Sequence, residues 1–522
     1  MKSHNLRRRL SSVDAAFLYL ERKEIPLHIA SVSTFDGLIP FEEFVAAIDS
    51  KLHLIPRYRQ VVVTPPYHLG PPLWEDDPDF DIRRHIFRVA VRKPGGEAEL
   101  EALASRILGQ VMDRRKPLWD IHVVEGLKGG RGALIARVHH SLADGISGEA
   151  LLKVMLGDTA ESSFAIPKPK LRRRRPAARN HSLREALGNA LEGTVENLLM
   201  ADAITVGLAE ALLDGRMQKA VKGLRSLLPE MAASIERLPF NRPCSGDRKF
   251  CWAECSFTDV RAIRVAFGGT VNDVILSVVT RAIARYVRLH RQTVTKRFIR
   301  VVCPVSMRRT DDGESMGNRI TFLPVALPLD IRDPVRMLKA VAMRMEVMKS
   351  AHVADLVALL ATWIGAAPPA LQALFWSTIP DVTLPVPLLN IICTNVPGSP
   401  VPLYAAGRRM IASYPHVPTG YELGVGCAVQ SYDGKLFFGL TADAHVAGDV
   451  GQLRDFIVQA FAELAQAAGI ARPRRQPETA GRKRRARTNG HAAAVLPSSR
   501  AEMPAGSPRV PPAPDATAHP RA

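Results

Sequence analysis

The stretch IARVHHSLADGIS, residues 135–147, places His139 and His140 side by side with Asp144 and Gly145 a few residues on. Neutral imidazole titrates near pH 6.5, which suits it to take a proton from a hydroxyl as charge develops in a transition state. Successive residues of a strand face opposite sides, so only one of the two histidines can face a given channel. One would be the base and the other structural. Gly145 permits a tight turn, and in that turn Asp144 can pair with an arginine or with backbone N–H groups, holding a histidine ring in one rotamer. Two histidines before an Asp-Gly turn also suit a solvent-exposed strand end, so the residue types leave both readings open. A metal site is disfavoured, because no third His, Cys or carboxylate stands nearby at ligand spacing. A serine hydrolase is disfavoured too: GESMG (313–317) has GxSxG spacing but stands in the polar run RRTDDGESMGNR, without the strand-to-helix setting of a nucleophile turn.

The flanking sequence says what must position these groups. LWDIHVVEGL, the turn KGGRG and ALIARVHH read as a β-hairpin whose second strand ends at the histidines. Upstream, HIASVSTFDG (28–37) reads as a strand and FEEFVAAIDSKL (41–52) as an amphipathic helix; SGEALLKVML (147–156) has helical spacing. Later strands are predicted at RFIRVVCPVSM (297–307) and LFFGLTAD (436–443). Composition shifts divide the chain into a basic arm (1–10), an α/β half carrying the histidines (11–165), a basic linker with a helical bridge (166–245), a second α/β half (246–470) and a Pro/Arg-rich tail (471–522) expected to be disordered.

The chain has 522 residues, 47% of them hydrophobic, enough for a large core and more than one domain. Its net charge of +19 invites a nucleic-acid reading, but the location of the charge argues otherwise. Residues 1–10 hold four bases and no acid, 166–180 seven and no acid, and 471–522 eleven against three acids, which together account for the whole excess. The basic character belongs to an arm, a linker and a tail suited to anionic lipid headgroups, not to a folded nucleic-acid face. Six cysteines include no CxxC pair and read as reduced thiols. The start MKSHNLRRRLSSVDAAFLYLE meets Asp14 before an apolar core develops, which predicts no secretory leader and a protein that stays in the cytoplasm. The uncharged run 356–376 contains Pro368-Pro369 and is expected to form two short helices, not a membrane span.

His139-His140-Ser141-Leu142-Ala143-Asp144-Gly145 matches the HHxxxDG signature of the chloramphenicol-acetyltransferase-like, CoA-dependent acyltransferases. LSSVDAAFLYLE, PLWDIHVVEGL (117–127), GGTVNDVILSVV (268–279), CPVSMRR with MGNR (303–319) and TNVPGSPVPLYAAG (394–407) narrow the likeness. Over residues 8–467 the chain resembles the bacterial wax ester synthase/diacylglycerol acyltransferase family. The resemblance implies an α/β (α+β) fold: two chloramphenicol-acetyltransferase-like domains joined by a helical linker, enclosing a channel. It implies His140 as general base, with His139 and Asp144 as supports and Arg308 as the candidate partner of Asp144. Asn272-Asp273 matches the family's ND motif, read here chiefly as a helix N-terminus held by a capping Asn. Backbone N–H groups near Gly145, or the side chain of Asn272, are candidate oxyanion donors. The implied substrates are a long-chain acyl-CoA and a diacylglycerol or fatty alcohol, with no separate cofactor and no metal, at a membrane or lipid-inclusion surface. Two readings compete: a condensation-type acyltransferase with another acceptor, and a catalytically silent lipid-surface scaffold. The intact HHxxxDG, PLW and ND set argues against silence.

Overall fold

The computed structural model describes residues 9–142, 155–167, 188, 235–294, 297–306, 320–350, 364–379 and 387–470, except 366 and 388. The expectations for Asp144, Gly145, Arg308, the basic arm before Arg9, the basic linker and helical bridge from 168 to 234, and the tail from 471 fall outside the described residues.

The first half begins with α1 (Ser12–Leu20), capped by Ser11, whose hydroxyl accepts from the Asp14 N–H. It continues through β1 (His28–Phe35), α2 (Phe41–Lys51), the short pair β2 (Gln60–Val63) and β3 (Leu73–Asp76), β4 (Ile86–Ala90) and α3 (Glu97–Leu108). β5 (Trp119–Glu125) and β6 (Gly132–His139) form the antiparallel hairpin that the sequence indicates, with Trp119 opposite Val138. The second half comprises β7 (Arg248–Ser256), α4 (Phe257–Phe267), α5 (Val271–Leu289), β8 (Phe298–Ser306), β9 (Ile320–Pro328), α6 (Pro334–Ser350), α7 (Pro369–Thr378) and β10 (Ile391–Val396). It ends with β11 (Tyr404–Ala405), β12 (Arg408–His416), β13 (Val425–Tyr432), β14 (Lys435–Asp443) and α8 (Val450–Ala467).

Two six-stranded mixed sheets organise these elements, in the orders β11-β12-β1-β6-β5-β4 and β7-β14-β13-β10-β8-β9. The first sheet is not drawn from the first half alone. β12 leaves the second half and pairs antiparallel with β1, Ala30 facing His416 and Ser33 facing Ser413. The halves therefore interlock, and closure of the site depends on chain more than 260 residues from the histidines.

Where β12 passes β14, a side chain at Gly439 would drive its Cβ into the Pro415 carbonyl, so only glycine lets the two sheets approach this closely. Further contacts tie β7 to α3: the Phe250 N–H donates to Ser105 Oγ at 2.9 Å and Trp252 Nε1 donates to Glu97 Oε1 at 2.6 Å. Apolar side chains of both halves, Trp119 and Phe35 with Phe250 and Phe437, share one continuous core. A second core lies between the other sheet and helices α5, α6 and α8. α5 is buried along most of its length, its apolar face set against the second core and its arginines on the other side. Among the described residues no single helix is long and apolar enough to cross a membrane. All six cysteines are free thiols.

Candidate active site

β6 delivers the two histidines and the chain then turns into a single 3-10 turn, 140–142. His139 is fully buried, on the same face of the strand as Arg137. Its Nδ1 accepts from the Ser141 backbone N–H at 3.2 Å and lies 2.6 Å from the Ser141 hydroxyl. An N–H can only donate, so Nδ1 carries the lone pair and Nε2 carries the proton. Nε2 points to Glu21 Oε1, 3.4 Å away. His139 is thus a positioned ring, Nδ1 hydrogen-bonded to Ser141 and Nε2 in ion-pair range of Glu21 without a hydrogen bond among the described residues.

Glu21, at the C-terminal end of α1, has a side chain only 1% exposed. It accepts from the Leu27 N–H at 3.1 Å and from Arg114 at 3.1 Å. Burial pushes its carboxyl upward, but His139, the Leu27 N–H and Arg114 outweigh that and hold it below the ordinary carboxylate range. Leu27 in turn accepts the His140 backbone N–H at 2.9 Å. One buried carboxylate therefore fixes the His139 ring directly and the His140 backbone through Leu27.

His140 faces the other way and is half-buried. Its ring stacks on Phe17 of α1, centroids 3.9 Å apart and planes inclined by 16°. Burial, reinforced by the neighbouring His139, pushes its pKa down to about 4, against a weaker opposing effect of its own backbone. At neutral pH the ring is the free base. Its Nδ1 is buried without a hydrogen-bond partner among the described residues.

A second layer supports the hairpin. Arg137 and Asp120, directly opposite each other on β6 and β5, form a two-point ion pair at 2.9 and 2.6 Å. The same guanidinium donates to the Ile107 and Gln110 carbonyls at the end of α3. Burial alone would raise the Asp120 carboxyl; His122 and Arg137 hold it well below the usual range.

On the face shared with His139, His28 of β1 and His416 of β12 stack with centroids 5.4 Å apart. Both are buried, neither makes a ring hydrogen bond among the described residues, and burial lowers the pKa of both, that of His416 to about 3.

Asn272 and Asp273 lie in the first turn of α5. The cap is Thr270, not Asn272: the Thr270 hydroxyl accepts from the Asp273 N–H and the Asp273 carboxylate accepts from the Thr270 N–H, a reciprocal box that needs the threonine three residues before the acid. Asn272 is left half-buried and without a capping role. Among the described residues no three metal-ligating side chains converge. Glu21, Arg114, His28 and His416 were not legible as site residues. The only signal for Glu21 was an acid directly after the apolar run AAFLYL.

The fold and this histidine pair define an acyltransferase of the two-sheet, HHxxxDG class. A family model described as the wax ester synthase/diacylglycerol acyltransferase catalytic domain matches residues 10–275, and the C-terminal domain of the same family matches 316–465. The chain belongs to the wax ester synthase/diacylglycerol acyltransferase family. A probable diacylglycerol O-acyltransferase, tgs2 of Mycobacterium tuberculosis, is 30% identical over 471 residues, covering 88% of this chain and 98% of that one. The solved wax ester synthase/diacylglycerol acyltransferase of Marinobacter aquaeolei VT8 shares the fold at 22% identity, TM-score 0.58, over 88% of this chain and all of that one. The first condensation domain of the calcium-dependent antibiotic synthetase also shares it, at 13% identity and TM-score 0.54, over 88% and 96% of the two chains. Fold alone does not separate acyl transfer to lipids from condensation chemistry; the family match does.

Proposed function

We propose that His140 is the general base in transfer of a long-chain acyl group from acyl-CoA to the hydroxyl of a diacylglycerol or a fatty alcohol. The observation that carries this reading is an imidazole stacked on Phe17, with Nδ1 buried, on a backbone held by the Leu27 carbonyl, which assigns Nε2 to the substrate. The hydroxyl oxygen attacks the thioester carbonyl while Nε2 takes its proton. The tetrahedral intermediate then collapses, the C–S bond breaks, and the imidazolium returns the proton to the departing CoA sulfur. A low conjugate-acid pKa favours that return, because the charged ring is disfavoured in its buried surroundings. The thioester is already activated, so no separate cofactor is required. Asp144 and Gly145 are assigned to the turn that supports the ring, Arg308 to pairing with Asp144, and backbone N–H groups near Gly145 or the Asn272 amide to the oxyanion, where one donor contributes roughly 3–4 kcal/mol.

Attachment to a lipid surface is part of the same proposal. Leu371, Leu374 and Phe375 stand exposed on one stripe of α7, a helix that packs against α1 next to the Phe17 platform. A lipid acceptor would reach the site from such a surface.

His140→Ala, assayed by CoA thiol release with both acceptor classes, should lose about 10²- to 10⁴-fold in rate with its fold and acyl-CoA affinity retained. Full activity in this variant would defeat the assignment.

A further inference from the structure

A cavity of about 400 Å³ opens on the helical layer of the second half, lined by Arg281, Ala284, Arg285 and Arg288 of α5 and by Ile331 and Arg332 of the segment before α6. Residues 281, 285 and 288 follow helical spacing, so three guanidinium groups rise from one face of α5 and a fourth closes over them. Four like charges at one cavity repel, and an anion seated among them would relieve that repulsion.

The protein supplies part of the offset. Glu463 of α8 accepts from Arg281 at 2.5 Å and from Arg285 at 2.6 and 2.7 Å, and Asp333 lies close enough to favour the charged form of Arg281. Two acids against four arginines leave two positive charges uncompensated. Neither Arg288 nor Arg332 makes an ion pair with an acid among the described residues, and burial first, then Arg332 and Arg285, lower the Arg288 guanidinium from its ordinary value.

Unfilled hydrogen bonds sharpen the point. Arg281 is only 8% exposed, yet its Nη1 is buried without a partner, and so is Nη1 of Arg285. Buried donors of this kind are rare because each forfeits its hydration without replacement. A guanidinium fork is the group best matched to phosphate oxygens, which it meets with paired, charge-assisted hydrogen bonds.

We propose that the cavity formed by Arg281, Arg285, Arg288 and Arg332 is a binding site for a phosphate-bearing ligand of about two negative charges, a diphosphate group or a phosphorylated lipid headgroup. The ligand's oxygens would be met by the Arg288 and Arg332 guanidinium groups, and the Arg281 and Arg285 charges beneath them would add to the attraction. The site lies two turns and more along α5 from the Thr270 cap, apart from the histidine site, and the inference stands whether or not His140 is the base.

The test uses the full chain. Inorganic pyrophosphate titrated by calorimetry, at constant ionic strength with sulfate-free buffer, should bind saturably at one site per chain and raise the melting temperature. In Arg288→Gln/Arg332→Gln the affinity should fall about tenfold or more, since two charge-assisted guanidinium contacts are lost. Sedimentation with phosphatidylcholine vesicles, with and without phosphatidic acid, identifies the source of the phosphate. Recruitment by phosphatidic acid that drops in the double variant assigns a lipid headgroup; pyrophosphate binding without such recruitment assigns a soluble diphosphate. Absence of saturable pyrophosphate binding to the wild-type chain, or equal affinity in a double variant whose ligand-free melting curve is normal, overturns the proposal.

Discussion

Replacing Glu21 with Gln tests whether one buried carboxylate organises both histidines. Gln keeps the volume and one acceptor, but its amide must present a donor to the Leu27 N–H, to Arg114 or to His139 Nε2, all of which are donors themselves. The Leu27 bond is buried and charge-assisted, a class that contributes about 1.5–3 kcal/mol, whereas the Arg114 side chain is 45% exposed and its pair adds at most about 1 kcal/mol after solvent screening. The amide can turn to only one side and the charge is lost on both, so the expected loss is about 1–3 kcal/mol of unfolding free energy, small enough for the fold to persist. The Leu27 carbonyl holds the His140 backbone, and with His140 as the proposed base a displacement of about 1 Å would lower the rate on the order of 10²-fold. Activity should therefore fall by about 10- to 100-fold, in kcat more than in KM. Urea unfolding followed by tryptophan fluorescence and CoA release under saturating substrate would measure both. The pH dependence supplies an internal control. The folded carboxyl is held below its unfolded value, so its contribution is present above the ordinary carboxylate range and disappears as pH falls through the folded value. The stability gap between wild type and Glu21→Gln should narrow in acid. A variant as stable and as active as wild type at pH 7 would refute the coupling of Glu21 to the histidines.

Asp120→Asn strips the buried Arg137 of its charge partner and should destabilise the chain by about 3–5 kcal/mol, read as a lower urea midpoint, while Asp120→Ala with Arg137→Leu should recover part of the loss. Gly439→Ala forces a Cβ into the Pro415 carbonyl between the two sheets and should destabilise by about 1–3 kcal/mol or leave the protein insoluble; unchanged thermal unfolding would count against the close approach. His28 and His416 are buried as neutral rings with lowered pKa values, so the unfolded chain binds protons that the folded chain refuses. Stability should fall as pH drops from about 6.5 toward 3, and His416→Phe should flatten that part of the profile in pH-dependent melting.

Local patterns carried much of the architecture. The alternating hairpin through Trp119 and His139, the Asp-Gly end of β1 and the apolar spacing of α2 each follow from side-chain periodicity along a few residues. The histidine pair and its chemical class were legible for the same reason, because motif and strand end lie within one short stretch. The role of Thr270 also stood in the sequence as a threonine three residues before an acid, obscured by the more conspicuous Asn272.

What holds the histidines was not legible. Glu21 reaches His139 across 118 residues, and β12 reaches β1 across nearly 380, so no periodicity within either segment reports the pairing. Strand exchange between halves is decided by which edge of a sheet remains to be covered once both have formed. Likewise Arg281, Arg285 and Arg288 read in sequence as an ordinary polar stripe of an amphipathic helix. Only the folding of Arg332 and Glu463 against that stripe turns it into a cavity with more positive charge than the protein neutralises. Short-range pattern determines which elements form and which residues have catalytic chemistry; long-range packing decides their protonation, because burial and partner distance exist only after the sheets have closed.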